Sequence, residues 1–156
     1  MTVIAADGTH IVADGRTLFG HSEIGLEDTR KIVVRDRVIY AISGVGVLLE
    51  PLIAWHLSGA TPSDAPACAG EAWSFLVIDA AGPGYYCHQA PYRGRMNYPL
   101  TLGCGADYAL GAMLAGADAR RAVEIACSKD AKCGGEIQVI DIAEALGLSP
   151  MREAAE

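Results

Sequence analysis

Residues 2–16 read T-V-I-A-A-D-G-T-H-I-V-A-D-G-R, and this stretch is the most informative one about the architecture of the chain. Thr2 to Ala6 and Ile11 to Asp14 are short apolar runs with β-branched residues, and Asp7-Gly8-Thr9 joins them. An Asp-Gly pair between two such runs is a strong signal for a β-hairpin. The stretch therefore predicts a hairpin whose first strand begins at Thr2.

The remaining sequence predicts further antiparallel strands and a few helices. In chain order we expect a hairpin of 31–34 with 37–42, a helix from near Leu49 to Leu57, a loop over 58–70, a hairpin of 73–79 with 84–89, a strand over 98–103, helices over 106–115 and 119–127, and a strand over 137–142. Strands and helices do not alternate regularly, as they would in a parallel α/β fold. Two antiparallel sheets covered by helices fit this order better.

Composition limits the class of protein. A chain of 156 residues has the length of one domain, which we expect over residues 1–148 with an acidic, alanine-rich tail over 149–156. The net charge is −7 and the basic residues are scattered, which argues against a nucleic-acid partner. No stretch is long and apolar enough to predict a membrane span, and the N-terminus lacks a secretory leader pattern, so we expect a cytoplasmic protein with no membrane partner.

The five cysteines do not predict a disulfide framework or a zinc knuckle. Their number is odd, and their spacing is not that of a zinc site. We therefore expect reduced thiols and no metal held by side chains. The cysteines are Cys68, Cys87, Cys104, Cys127 and Cys133.

Thr2 is a candidate nucleophile because of its position. A threonine hydroxyl is a weak nucleophile, but the α-amine of an N-terminal threonine titrates near neutrality and can accept the hydroxyl proton. Removal of Met1, which aminopeptidases generally carry out before a small residue, would expose that amine. Taken alone, the Met-Thr dipeptide is more often a chance threonine at the start of a strand.

Six segments in order change that balance, because together they resemble the family of proteasome β-subunits and bacterial HslV-type peptidases. The segments are the strand led by Thr2, Ile11 to Arg16 with its Asp-x-Arg ending, Arg30-Lys31-Ile32, Ala41 to Gly44, Gly103-Cys104-Gly105, and Lys129 to Gly135. The resemblance covers Thr2 to about Ala145. It implies an α+β fold of N-terminal-nucleophile hydrolase type, a four-layer αββα sandwich of two antiparallel sheets. It leaves open whether one outer helix is missing between Leu57 and Trp73.

The same resemblance assigns roles to individual residues. Lys31 would lie against the Thr2 hydroxyl and favour its deprotonation, while Asp14 would pair with Lys31 and orient it. The backbone N–H of Gly44 would form the oxyanion hole, and Asp130 would support the Thr2 amine. Cys104 and Cys133 occupy positions where the family has serines, so the hydrogen bonds around the amine would differ.

The resemblance also implies a substrate pocket and a main-chain ion site. The pocket for the residue before the scissile bond would be lined by small and branched side chains, which suit uncharged substrate residues: Thr17, Leu18, Thr29, Val33, Ile42 and Gly46. No cofactor is expected. Some family members hold a cation on main-chain carbonyls at positions that match Cys127, Asp130 and Cys133, which leaves a structural Na⁺ open.

The function implied is a threonine endopeptidase that works inside a homo-oligomer, a stacked double ring, on peptides or on unfolded proteins delivered by an ATP-dependent unfoldase. Two alternatives stay open at this point. The same nucleophile could serve an amidase or acylase acting on a small amide. If Met1 is retained, the amine is blocked and the chain would be an inactive structural subunit of the ring.

Overall fold

The computed structural model describes residues 2–19, 22–23, 30–67, 70–88 and 90–148. The strands are β1 Val3–Ala6, β2 His10–Ala13, β3 Leu18–Phe19, β4 Ser22–Glu23, β5 Ile32–Arg35, β6 Val38–Gly44, β7 Trp73–Asp79, β8 Gly82–Cys87, β9 Ala90–Arg95, β10 Leu100–Gly103 and β11 Gln138–Asp141. The α-helices are α1 Leu49–Leu57, α2 Ala106–Leu114, α3 Ala119–Lys129 and α4 Ile142–Ala145. Thr29 and the predicted tail over 149–156 lie outside the described residues.

Two antiparallel sheets form the centre of the molecule. One has the strand order β10-β1-β2-β11 and the other the order β5-β6-β7-β8-β9, while β3 and β4 form a separate short pair. The predicted hairpin at the N-terminus is confirmed, with Ala6 opposite Ile11 across the Asp7-Gly8-Thr9 turn. The Asp7 carboxylate accepts the backbone N–H groups of Thr9 and His10, each at 2.8 Å, which fixes that turn.

Side-chain alternation along β1 shows how the layers are stacked. Ile4 and Ala6 pack between the two sheets, in a cluster that includes Ile39 of β6. Val3 and Ala5 point the other way and pack against helices α2 and α3. Every side chain of β1 is therefore buried, which explains why this strand is a continuous apolar run.

The outer face of the five-stranded sheet is covered by α1. Leu52 and Ile53 of that helix pack against Tyr40 and Phe75, which completes the layer order of helix, sheet, sheet and helix pair. The predicted α+β sandwich is thus confirmed. Pro51 lies in the first turn of α1, where proline is tolerated because the N–H there has no intrahelical acceptor.

The segment between Leu57 and Trp73 contains no α-helix within its described residues, 58–67 and 70–72, and only one 3₁₀ turn at Pro62–Asp64. Two indole N–H groups hold it against the body of the protein. Trp55 donates to the carbonyl of Thr61 at 2.9 Å, and Trp73 donates to the carbonyl of Pro66 at 3.1 Å. One outer helix is therefore absent from this stretch of the described chain.

Several elements differ from the sequence-based expectation, and among them the short strands β3 and β4 and the helix α4 were not predicted. Strand β8 begins at Gly82, two residues early, because Ala80 and Ala81 alone form the turn after Asp79. Strand β9 was not predicted, since its sequence contains a proline and a glycine; it is an edge strand, where proline costs no ladder hydrogen bond. The last strand ends at Asp141, whose carboxylate accepts the Glu144 N–H at 2.8 Å and caps α4.

Candidate active site

The carboxylate of Asp14 is the centre of the site. Asp14 follows β2, and its N–H donates to the carbonyl of Val3 at 3.2 Å, so the N-terminal strand lies directly beside it. Its Oδ1 accepts the Thr2 hydroxyl at 3.0 Å and the Val3 N–H at 2.9 Å. Thr2 is 2% exposed and Asp14 is 1% exposed. A polar group buried this deeply must be satisfied by partners in the protein.

Lys31 reaches the same oxygen from the other sheet. It immediately precedes β5, and its Nζ lies 2.6 Å from Oδ1 of Asp14. The backbone around it is fixed, because the Ile42 N–H donates to the Lys31 carbonyl at 3.1 Å and the Gln138 side-chain amide bonds both backbone groups of Ile32. The Thr2 hydroxyl and the Lys31 ammonium therefore both contact one oxygen atom, Oδ1 of Asp14.

The second oxygen of Asp14 is held by a loop that carries two glycines. Oδ2 accepts the Gly134 N–H at 3.0 Å, and the Gly134 carbonyl accepts the N–H groups of Gly15 and Arg16 at 2.9 and 2.7 Å. A Cβ on Gly15 would lie 2.3 Å from the Glu136 carbonyl oxygen, so only glycine permits this approach. Both carboxylate oxygens are therefore fixed by donors.

Arg16 secures the same loop from its other side. Its Nη1 donates to the carbonyl of Ala131 at 2.7 Å and to that of Cys133 at 2.9 Å. Two of the backbone carbonyls considered for a Na⁺ ion already accept hydrogen bonds. The Cys133 carbonyl accepts from Arg16, and the Asp130 carbonyl accepts from the Cys133 N–H at 3.0 Å. The Asp-x-Arg segment of the sequence contained the signal for Arg16, but no role in the site was predicted for this residue.

Cys104, Asp130 and Cys133 lie together next to the backbone of Thr2. The Cys104 thiol donates to the Thr2 carbonyl at 3.4 Å, the two sulfurs are 3.6 Å apart, and the Cys133 thiol lies 3.8 Å from Oδ2 of Asp130. The Lys132 N–H and the Cys104 thiol hold the pKa of the Asp130 carboxyl below its ordinary value. Burial, and then contact with Cys104, raise the pKa of the Cys133 thiol.

Gly44 ends β6 and lines an open pocket of about 310 Å³. The other lining residues were not predicted: Ser43, Ala72, Trp73, Ser74, Tyr85, Cys87 and His88. The Ser74 and Tyr85 hydroxyls are hydrogen-bonded to each other at 3.1 Å across neighbouring strands. Nothing in the apolar pattern of those strands distinguishes these residues from ordinary strand positions.

The residues predicted for the substrate pocket are not gathered around that cavity. Ile42 is 3% exposed and packs in the cluster beneath α1, and Val33 packs against the same cluster. Thr17 and Leu18 are half-buried, and Gly46 begins a 3₁₀ turn with open space around its Cα. Thr29 lies outside the described residues.

Gly44→Ala is expected to destabilise the protein by about 3 kcal/mol or more, because its φ of +108° is unfavourable for alanine and a Cβ would lie 2.2 Å from the Ala72 carbonyl oxygen. Urea unfolding followed by circular dichroism measures this. Gly46→Ala is the matched control, since a Cβ there meets nothing within 4 Å, and it should change stability by at most about 0.5 kcal/mol. Equal stability of the two variants would contradict the constraint at Gly44.

Comparison with known proteins identifies the fold. No family model matches the chain, and no curated protein matches its sequence. Among solved structures, BPH of Thiobacillus denitrificans in complex with epoxomicin matches with a TM-score of 0.64 at 17% identity, over 90% of this chain and 98% of that one. A second structure of Thiobacillus denitrificans BPH gives a TM-score of 0.63 at 17% identity, with 90% and 97% covered. HslV from Trypanosoma brucei gives 0.64 at 16% identity, with 90% and 98% covered.

These matches span nearly the full length of both partners. The chain therefore has a proteasome/HslV-type fold. At such low sequence identity, the likeness establishes the architecture and not the activity. Within the described residues, no helix has the length and apolarity needed to span a membrane.

Proposed function

We propose that the chain is the subunit of a threonine peptidase whose nucleophile is the hydroxyl of Thr2, exposed by removal of Met1. One observation carries the proposal: the Thr2 hydroxyl and the Lys31 ammonium share one buried oxygen of Asp14. A hydroxyl, a cation and an anion held together in a largely buried site are the components of an activated nucleophile. The fold supports the assignment, since HslV of Trypanosoma brucei shares it.

The reaction would proceed through an ester of Thr2. The free α-amine accepts the hydroxyl proton as Oγ1 attacks the peptide carbonyl carbon, and the positive charge of Lys31 stabilises the developing alkoxide. The Gly44 N–H would donate to the oxyanion. The scissile C–N bond then breaks, and the proton held by the amine passes to the leaving nitrogen. Water, activated by the same amine, hydrolyses the ester and restores Thr2.

The proposal includes the assembly and its substrates. Copies of the chain would form a stacked double ring that admits unfolded polypeptide, with an ATP-dependent unfoldase as the partner that supplies it. Large apolar side chains exposed on the single chain support such contacts, namely Val47 before α1, Leu57 at its end and Leu114 at the end of α2. Epoxomicin, which BPH of Thiobacillus denitrificans binds, is a suitable ligand with which to probe the site.

A precursor with a removable fusion placed directly before Thr2 tests the role of the amine. We expect only background hydrolysis of fluorogenic peptides before the fusion is removed, and a rise of about 100-fold or more afterwards, as for other catalytic bases. The matched control leaves one extra glycine before Thr2, so that the free amine belongs to the wrong residue. It should stay at background.

Other outcomes would contradict the proposal in different ways. Equal activity of the two processed forms would exclude the Thr2 amine as the base. Cleavage of small amides without cleavage of any peptide would assign the nucleophile to an acylase. Inactivity of both forms on peptides and amides, with intact mass verifying the N-terminus, would leave the inactive structural subunit.

A further inference from the structure

Two thiols and a carboxylate converge from distant parts of the sequence. Cys104 lies in the turn between β10 and α2, whereas Asp130 and Cys133 follow α3. One sulfur or oxygen atom from each of the three lies within 4.8 Å of the other two. Their spacing in the sequence does not resemble that of a zinc motif, so the chain alone does not reveal the cluster.

The distances match those between ligands of a tetrahedral zinc ion. With Zn–S bonds of about 2.3 Å and a tetrahedral angle, two sulfur ligands lie about 3.8 Å apart. The two sulfurs of Cys104 and Cys133 are 3.6 Å apart. With a Zn–O bond of about 2.1 Å, a sulfur and an oxygen ligand lie about 3.6 Å apart. The Cys133 sulfur and Oδ2 of Asp130 are 3.8 Å apart. Two of the three distances thus fit an ion, and the third, between the Cys104 sulfur and the Asp130 carboxylate, is within 4.8 Å.

The surroundings orient these ligands. Oδ1 of Asp130 accepts the Lys132 N–H at 2.9 Å, which holds the carboxylate and leaves Oδ2 directed towards Cys133. Arg16 donates to the Cys133 carbonyl, so a positive charge lies close to a site that would carry three negative ligands. Cys133 is buried, but Cys104 is exposed, and an ion can therefore enter from the side of Cys104.

We propose that Cys104, Cys133 and Asp130 bind one zinc ion or another thiophilic divalent cation, with water in the fourth position. Binding releases the two thiol protons to solvent, and the sulfurs change from hydrogen-bond donors to ligands. The donation from Cys104 to the Thr2 carbonyl, now at 3.4 Å, is lost in the process. The contact of Cys104 thus joins the site to Thr2.

A functional consequence follows, and it rests on the proposed peptidase. Because the ion removes a donor from Thr2 and places a cation beside it, bound Zn²⁺ should inhibit peptide hydrolysis. Inhibition should be weakened in Cys104→Ser, which keeps a hydroxyl donor near Thr2. Ion binding itself is measured without any activity, so failure of the peptidase proposal and failure of the ion site can be told apart.

Titration of the reduced full-length protein with Co²⁺ tests the site directly. We expect a thiolate-to-cobalt charge-transfer band and the visible bands of tetrahedral cobalt, saturating at one ion per chain and displaced by Zn²⁺. Cys104→Ser, at an exposed position, should lose most of the charge-transfer intensity and weaken Zn²⁺ binding by about 100-fold or more. Asp130→Asn should weaken binding and keep the thiolate band.

The control variants are Cys87→Ser and Cys127→Ser, at two cysteines that are not members of the three-residue ligand group, and both should bind as the wild type does. Circular dichroism verifies that each variant is folded, and Cys133→Ser is used only if it passes this test. The proposal is overturned if the wild type shows no thiolate band. It is equally overturned if folded Cys104→Ser binds Co²⁺ and Zn²⁺ as tightly as the wild type does.

Discussion

Thr2→Ala, in protein from which Met1 has been removed, is expected to reduce peptide hydrolysis to the uncatalysed background. The substitution removes the attacking oxygen and leaves the amine, Asp14 and Lys31 in place. Loss of a nucleophile lowers kcat in other hydrolases by far more than loss of one stabilising group, so we expect a decrease of at least about 10,000-fold. Steady-state hydrolysis of a fluorogenic peptide, with intact mass verifying the N-terminus, measures it.

Two further variants separate chemistry from folding. Thr9→Ala changes a threonine in the exposed Asp7-Gly8-Thr9 turn and should leave the rate unchanged. Thr2→Ser retains both the hydroxyl and the α-amine and should retain measurable activity. Thr2→Ala also loses one hydrogen bond to the charged carboxylate of Asp14, worth about 1.5–3 kcal/mol, which urea unfolding will detect. A folded Thr2→Ala protein as active as the wild type would exclude Thr2 as the nucleophile.

Local sequence signals predicted most of the strands. The Asp-Gly turn at residues 7 and 8 specified the first hairpin, and Asp118 caps α3 locally by accepting the Arg121 N–H at 2.7 Å. Such features depend on neighbours within a few residues. Strand β9 was missed because an edge position allows it to lack both the alternation and the β-branched residues of inner strands.

The arrangement of the site depends on long-range contacts that no local pattern specifies. Asp14 follows a strand of one sheet and Lys31 precedes a strand of the other. Only the resemblance to a family suggested that these two residues would be neighbours. The donation from Gly134 to Asp14 joins residues 120 positions apart. Neither composition nor periodicity carries information about such a pair, since a charged residue near a turn is usually solvated.

The residues that line the pocket beside Gly44 could not be predicted from local sequence patterns either. Its lining residues come from three neighbouring strands, β6, β7 and β8, and from the residues beside them, so they are distant from one another in the sequence. The substrate pocket predicted around residues such as Ile42 stays a prediction; the Ile42 side chain itself packs in the cluster beneath α1. To infer a pocket-lining residue from a family resemblance, one must know which face of the strand its side chain lies on, as well as the sequence alignment.

Lys31→Met is expected to lower both stability and activity, for two separable reasons. Methionine has nearly the length of lysine but no charge, so the Asp14 carboxylate would stay buried without its counter-ion. Breaking one partner of a buried pair costs about 3–5 kcal/mol, which urea unfolding measures. Because Lys31 would also stabilise the alkoxide of Thr2, we expect kcat/KM to fall by at least about 100-fold in protein that remains folded.

The double variant Asp14→Asn/Lys31→Met separates these two effects. It removes both charges, so part of the lost stability should return, since no unpaired ion remains. Recovery should be incomplete, because the asparagine amide has one acceptor oxygen and cannot accept both the Val3 N–H and the Gly134 N–H, as the two carboxylate oxygens do. Activity should stay low, because the positive charge beside Thr2 is still missing. If a folded Lys31→Met or double variant hydrolysed peptides at the wild-type rate, Lys31 would have a purely structural role, and its pairing with Asp14 would serve only to join the two sheets.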